Sequence, residues 1–262
     1  MKNKPIAIFD SGVGGLTVYE KLKSLLPNEN YIYFGDLKNS PYGQKSKQQL
    51  LDITSNIFNY FKKADVKAVV MACNTTSANV YDEYKNSFDY KIYPIIQTCA
   101  KVISELQIKK LGVFATSATI SSGAYKREIN KHNPNIEVFE MSCPGWVQIV
   151  EENKQQDTES IRFVKEKLDE MLKNKPDKII LGCTHYPFLL DVLSMFAPKD
   201  MFIDPSEFFA QYIKSDLEGS NLINETSGSE RFLVSANPKE FQQAAKMFYE
   251  LKNIPEIVNM NI

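Results

Sequence analysis

The chain has 262 residues, 43% of them apolar, which is enough to bury one large core or two modest ones. Its formal net charge is -1 and its only arginines are Arg127, Arg162 and Arg231, so no basic stripe is available for a nucleic-acid backbone. No apolar run approaches membrane-spanning length, the amino-terminal run stops too soon for a signal peptide, and Cys73, Cys99, Cys143 and Cys183 contain no Cys-x-x-Cys pair; the expectation is a cytoplasmic protein in a reducing compartment, without nucleic-acid or membrane partners.

In chain order, a strand over 5–9 leads into the loop Asp10-Ser-Gly-Val-Gly-Gly15 and a helix with Leu16, Tyr19, Leu22 and Leu26 at helical spacing, ending before Pro27. A strand over 31–34 precedes a loop carrying Pro41-Tyr42-Gly43. Ser46 is positioned to cap a helix with Leu50, Ile53, Ile57 and Phe61 on one face. Strands follow over 68–71 and 92–96. The pattern then restarts: a helix over 97–106, strands over 111–115 and 137–141, a helix after Ser121, two helical stretches, and a strand opening at Lys178. Pro187 suits the first turn of the next helix. A strand over 201–203 and a helix after Pro205 come next. The polar, turn-rich segment 219–230 is expected to be a mobile loop, followed by one strand over 231–235 and one amphipathic helix over 238–251.

Two echoes organise these elements. Lys178-Ile-Ile-Leu-Gly-Cys183-Thr-His185 repeats the layout of Lys67-Ala-Val-Val-Met-Ala-Cys73-Asn-Thr75, an apolar strand run ending at a thiol and a polar segment. Ile6-Ala-Ile-Phe9-Asp10-Ser11 is matched in the same way by Leu111-Gly-Val-Phe114-Ala115-Thr116. Both echoes keep their order at nearly equal spacing, which implies a duplicated unit. The predicted fold is α/β, with two similar domains, each a mainly parallel sheet flanked by helices, and an active site in the cleft between them. The first domain is expected to comprise 1–96 plus 207–262, the carboxyl-terminal tail packing back, and the second 97–206.

The glycine-rich loop lacks a Gly-Lys-Ser/Thr ending, and Thr17 occupies the place of a third dinucleotide glycine. Asp36 keeps a nucleotide reading open, beside an anion-binding loop with Ser11 as donor and an ordinary strand-to-helix turn. Cys99 and Cys143 have no repeated context and read as buried, inert thiols. Cys73 and Cys183 both lie between a strand and a helix start, where backbone N–H groups and the helix field are expected to favour thiolate. His185 lies beside Cys183, whereas His132 falls in a Lys/Asn-rich helix end and reads as solvated. No paired ligand spacing supports a metal among Cys73, Cys183 and His185. Two thiols from two like halves suggest racemisation or epimerisation by two bases, one removing a proton from one face of a carbon and the other supplying one to the opposite face. No cofactor fingerprint is present.

Asp10-Ser11-Gly12, Pro41-Tyr42-Gly43, Ala72-Cys73-Asn74-Thr75, Ala115-Thr116 with Thr119, Ser122-Gly-Ala-Tyr125 and Gly182-Cys183-Thr184-His185-Tyr186-Pro187 together resemble glutamate racemases of bacterial cell-wall synthesis. The resemblance implies cofactor-independent interconversion of L- and D-glutamate for peptidoglycan, with Cys73 and Cys183 as catalytic bases assisted by Asp10 and His185. It further implies that Ser11, Tyr42, Gly43, Asn74, Thr75 and Thr184 hold the substrate, that Thr116 and Thr119 add contacts, that Glu151 is a cleft glutamate, and that the enzyme is a homodimer. Gly145 and Trp146 depart from the family's commoner bulky-aliphatic and Phe pair. Capping of the following helices is a compatible role for Thr75, Thr119 and Thr184. Aspartate or hydantoin racemase is the neighbouring alternative, against which His185 weighs because aspartate racemases resemble this pattern with an acidic residue there. A non-catalytic two-lobed binding protein for small anions is the alternative outside catalysis.

Overall fold

The computed structural model describes residues 1–259. In one sheet β1 (Ile6–Asp10), β2 (Tyr31–Gly35) and β3 (Ala68–Met71) are buried along their whole length, as continuous apolar runs covered on both faces should be, and β4 (Lys91–Pro94) forms an edge. The other sheet contains β5 (Lys110–Ala115), β6 (Glu137–Ser142), β7 (Lys178–Gly182) and β8 (Phe202–Ile203). The first set runs β2-β1-β3-β4 and the second β6-β5-β7-β8, all parallel, so one winding is used twice. The two sequence echoes therefore fall on corresponding strands: β3 with β7, and β1 with β5. The first sheet extends beyond β2 through β9 (Glu230–Val234) and β10 (Glu256–Ile257), also parallel. In each sheet the chain leaves the central strand on one side and returns on the other. Between β1 and β3, and between β5 and β7, this reversal opens a crevice at the strand carboxyl ends, where parallel α/β sheets bind ligands.

The helices are α1 (Leu16–Leu25), α2 (Lys47–Lys63), α3 (Asn74–Tyr84), α4 (Ile95–Ile103), α5 (Ser117–Ser122), α6 (Ala124–His132), α7 (Trp146–Glu151), α8 (Thr158–Leu172), α9 (Leu190–Leu193), α10 (Pro205–Gly219) and α11 (Pro238–Ala245). The apolar stripes of α1 and α2 face inward, burying Leu16, Tyr19 and Leu22, and Leu50, Ile53, Ile57 and Phe61. Ser46 caps α2 reciprocally: its hydroxyl accepts the Gln49 N–H while the Gln49 side chain accepts the Ser46 N–H. No helix among the described residues is long and apolar enough to cross a membrane.

Four local expectations are corrected. Ile95 and Ile96 open α4 rather than closing a strand, because the Ser77 hydroxyl accepts the Ile96 N–H and satisfies a donor at the helix start. The helical region after β5 begins at Ser117, not after Ser121, and breaks at Gly123, which takes φ 60° between α5 and α6. Segment 219–230 is anchored rather than loose. Its Asn224 is buried and donates its N–H to Glu29 Oε1 at 2.8 Å, and Ser229 donates both N–H and hydroxyl to Asn30 Oδ1. Finally, α11 stops at Ala245, although Phe248 and Leu251 remain buried, and the short β10 follows where no strand is expected.

A buried ion pair closes the far end of the first sheet. Lys67 Nζ lies 2.5 Å from Glu29 Oε2, both side chains being 1% exposed, and also donates to the carbonyls of Lys2 and Leu222. One ammonium thus joins the amino terminus, the turn before β2 and the segment before β9.

Candidate active site

The carboxyl ends of the two sheets face a shared cleft of about 500 Å³. Ser11, Tyr42, Gly43, Cys73, Asn74 and Thr75 line it from the first set of strands. Thr116, Glu151, Cys183, Thr184 and His185 line it from the second. Eleven positions singled out in the sequence therefore meet in one cavity. Asn237, Glu240 and Phe241 also line it. These residues of α11 and its N-cap carry no motif, and the docking of β9 against β2 brings them there.

Adjacent strands β1 and β3 bring Ser11 and Cys73 together, with Cys73 Sγ 3.9 Å from Ser11 Oγ. Asp10 lies behind the cleft lining, fully buried; its Oδ2 accepts the Gly12 N–H at 3.0 Å and its Oδ1 has no partner. Burial pushes the Asp10 carboxyl up, against the opposing pull of His185 and of the Gly12 and Gly15 N–H groups. Cys73 is pushed up to about 11, first by burial and then by the Asp10 charge, while the Thr76 N–H and hydroxyl pull the other way. The expectation that a helix start favours thiolate at both cysteines is thus corrected at Cys73: a few N–H dipoles do not offset removal from water beside a carboxylate.

The Cys183 side is furnished differently. Cys183 Sγ lies 3.9 Å from His185 Nδ1, and His185 Nε2 lies 3.1 Å from Glu151 Oε1. Burial on its own would depress the imidazole, but the Cys183 sulfur and the Glu151 carboxylate outweigh it and hold His185 up at about 10. The protonated ring is thereby favoured, the form that points one N–H toward the sulfur and donates the other to Glu151. Phe248 covers the ring edge-on at 5.8 Å. From the first half, Gly14 meets this group so closely that a Cβ there would stand 2.3 Å from Thr184 Oγ1 and 2.7 Å from the His185 ring.

Three hydroxyls join the halves: Thr75 Oγ1 is 2.9 Å from Thr116 Oγ1, which is 3.0 Å from Thr119 Oγ1. Thr119 is buried behind Thr116 and does not line the cleft. Capping also falls elsewhere than expected. Thr116 caps α5, whereas Cys73 and His185 occupy the cap positions before α3 and the turn at Tyr186–Leu189. The Tyr42 hydroxyl donates to Asp36 Oδ2 at 2.5 Å, and Asn39 donates to both Asp36 oxygens. That carboxylate holds the Pro41 loop, so the nucleotide reading loses its ribose ligand. Trp146 is buried against Phe114 and Tyr186 outside the cleft lining, and only Gly145 of that divergent pair reaches the lining.

Cys99 donates to the Pro205 carbonyl at 3.2 Å and is fully buried. Cys143, expected to be a plain core residue, lines the cleft wall, where burial pushes its thiol well up. His132 is exposed. Among the described residues, no group of three or more His, Cys, Asp or Glu side chains could hold a metal ion.

The charge arrangement around His185 gives a direct expectation. Glu151→Gln removes a carboxylate that stabilises the imidazolium, so burial gains weight and the His185 pKa should fall from about 10 by about one unit or more. The two histidines give two imidazole Hε1 signals, of which that of exposed His132 serves as internal reference in an NMR pH titration. An unchanged His185 midpoint would show that Glu151 does not set its charge.

The Asp/Glu/Hydantoin racemase family model matches residues 7–213. Glutamate racemase 2 of Caldanaerobacter subterraneus subsp. tengcongensis is 36% identical over 265 residues, covering 100% of this chain and 99% of that protein. Glutamate racemase from Francisella tularensis in complex with D-glutamate has a TM-score of 0.93 at 35% identity, covering 100% of this chain and 99% of that one. The Thermus thermophilus glutamate racemase in complex with β-chloro-D-alanine has a TM-score of 0.90 at 31% identity, covering 99% and 98%. The double winding, the paired thiols and these similarities agree: the chain belongs to the Asp/Glu/hydantoin racemase family.

Proposed function

We propose that this protein interconverts L- and D-glutamate by proton transfer between Cys73 and Cys183, acting on opposite faces of the α-carbon. The observation that carries the reading is that two thiols ending corresponding strands of two like sheets line one cleft. One sulfur, as thiolate, takes the α-proton; the other, as thiol, gives a proton to the opposite face of the resulting carbanion, and the two have exchanged states at the end of the turnover. Asp10 acts on the Cys73 proton and His185 on that of Cys183. Ser11, Asn74, Thr75, Thr116 and Thr184, with the N–H groups at the helix starts, would hold the two carboxylates, and Tyr42 and Gly43 would shape the wall beside them. No arginine lines the cleft, so neutral donors rather than a fixed guanidinium would hold the two carboxylates.

The names of the similar proteins and the D-glutamate complex of the Francisella relative support glutamate over aspartate as substrate. We further assign residues 1–96 with 207–262 and residues 97–206 as the two domains that close on it, a reading supported by the partition of strands between the sheets. Operation without a cofactor or metal, a cytoplasmic location, supply of D-glutamate to peptidoglycan and a homodimeric state complete the proposal. Proton NMR of L- and, separately, D-glutamate in D2O with the cofactor-free protein, combined with chiral analysis, tests it. Loss of the α-proton signal with inversion from both enantiomers is expected, with aspartate turned over far more slowly. Absence of exchange with folded, reduced protein would sink the assignment.

A further inference from the structure

The motif Ser122-Gly-Ala-Tyr125 has no role in the chemistry above, yet Tyr125 lies between the two cysteine turns. Its ring lies against the end of β7, so that a Cβ on Gly182, the residue before Cys183, would stand 2.9 Å from Tyr125 Cε2. Its hydroxyl reaches the other half and donates to Asn74 Oδ1, in the residue after Cys73, at 2.7 Å. Tyr125 is fully buried and does not itself line the cleft, whereas Asn74 does. The Asn74 Nδ2 is buried and has no hydrogen-bond partner.

A buried phenol needs an acceptor for its hydrogen, and the Asn74 carbonyl is the acceptor this one has. If the amide were turned over, its NH2 would face the hydroxyl and the phenol hydrogen would lose that acceptor. Burial also pushes the Tyr125 hydroxyl well above its ordinary range, so it remains a donor across the working pH range. The orientation of the amide is thereby fixed, and the group turned away from Tyr125 is an unsatisfied double donor beside Cys73, matched to a carboxylate oxygen.

We propose that Tyr125 is a positioning residue that locks the Asn74 amide with its NH2 presented to a substrate carboxylate. The inference rests on the racemase reading above, and it ties the substrate grip beside one thiol to a side chain packed beside the other. Without the hydroxyl the amide is free to turn its carbonyl toward the carboxylate.

The test is steady-state kinetics, from both enantiomers of glutamate, of the full-length wild type, Tyr125→Phe, Asn74→Ala and the double variant. Tyr125→Phe should raise KM about tenfold for both enantiomers with a much smaller change in kcat. In the Asn74→Ala background the same change should leave KM unaltered, because the group being positioned is gone. An unchanged KM in Tyr125→Phe, or an equal rise in both backgrounds, would overturn the proposal, the second by showing a general packing effect. Should Tyr125→Phe not fold, Asn74→Ala decides: a KM equal to that of the wild type would overturn it. Inactivity of the folded, reduced wild type toward glutamate is a separate outcome, which refutes the racemase reading on which the proposal rests.

Discussion

Cys183→Ala is expected to lose inversion of both enantiomers, with kcat falling at least about a thousandfold, and Cys73→Ala is expected to match it. The reason is geometric. Each thiol ends its own strand on its own half of the protein and lines the shared cleft from one side. A turnover that removes a proton from one face and adds one to the other needs both sulfurs. Neither of two neighbouring groups replaces a missing sulfur: Cys143 lines the wall with its thiol held well up by burial, and His185 stands behind Cys183 rather than opposite it. Chiral chromatography after prolonged incubation reads the result. A Cys183→Ala protein that inverted D-glutamate at even a tenth of the wild-type rate would refute the two-base assignment. Cysteine-to-serine changes should be less severe, since a hydroxyl keeps the shape and a labile proton but is much the weaker acid and is hardly ever ionised to act as the base.

The largest expected effect on stability lies at the opposite end of the first sheet. Lys67→Met should cost about 3–5 kcal/mol, because it leaves the Glu29 carboxylate buried without its cation. The remaining donor, the Asn224 N–H on Glu29 Oε1, is a single neutral hydrogen bond. The carbonyls of Lys2 and Leu222 lose their shared donor in the same step. Urea denaturation should show the loss as a lower midpoint, and limited proteolysis should show new cleavage within 219–230 as that segment comes away from the 28–30 turn. A change below about 1 kcal/mol would mean that water reaches Glu29 and replaces the ammonium. Glu29→Gln is the milder counterpart: it removes the charge but keeps an oxygen for Asn224.

The duplicated plan was legible in the sequence because burial on both faces makes parallel strands write themselves as unbroken apolar runs, and because the residue after such a run falls where ligands bind. Cys73, Cys183, Ser11 and Thr116 could be read in this way. What could not be read depends on contacts far apart in the chain. Segment 219–230 is polar and rich in turn formers, yet its hydrogen bonds are made to Asn28, Glu29 and Asn30 rather than to water. Thr119 belongs to the right motif but stands one hydroxyl behind the lining, because it follows Thr116 by three residues at the start of α5. The raised thiol of Cys73 follows from its burial beside Asp10, which local helix-start chemistry does not reveal. Phe241 and Glu240 reach the cleft only because β9 pairs with β2.

The unequal furnishing of the two sulfurs, with a carboxyl behind Cys73 and an imidazole between Cys183 and Glu151, has a thermodynamic consequence. The enantiomers of glutamate have equal free energies in water, so the equilibrium constant between them is unity whatever catalyses their exchange. The Haldane relation then requires kcat/KM to be identical in the two directions. However differently the halves hold their protons, that difference can only redistribute each turnover number against its own Michaelis constant. A higher kcat from one enantiomer must be matched by a proportionally higher KM, and an asymmetric site is bound to symmetric efficiency.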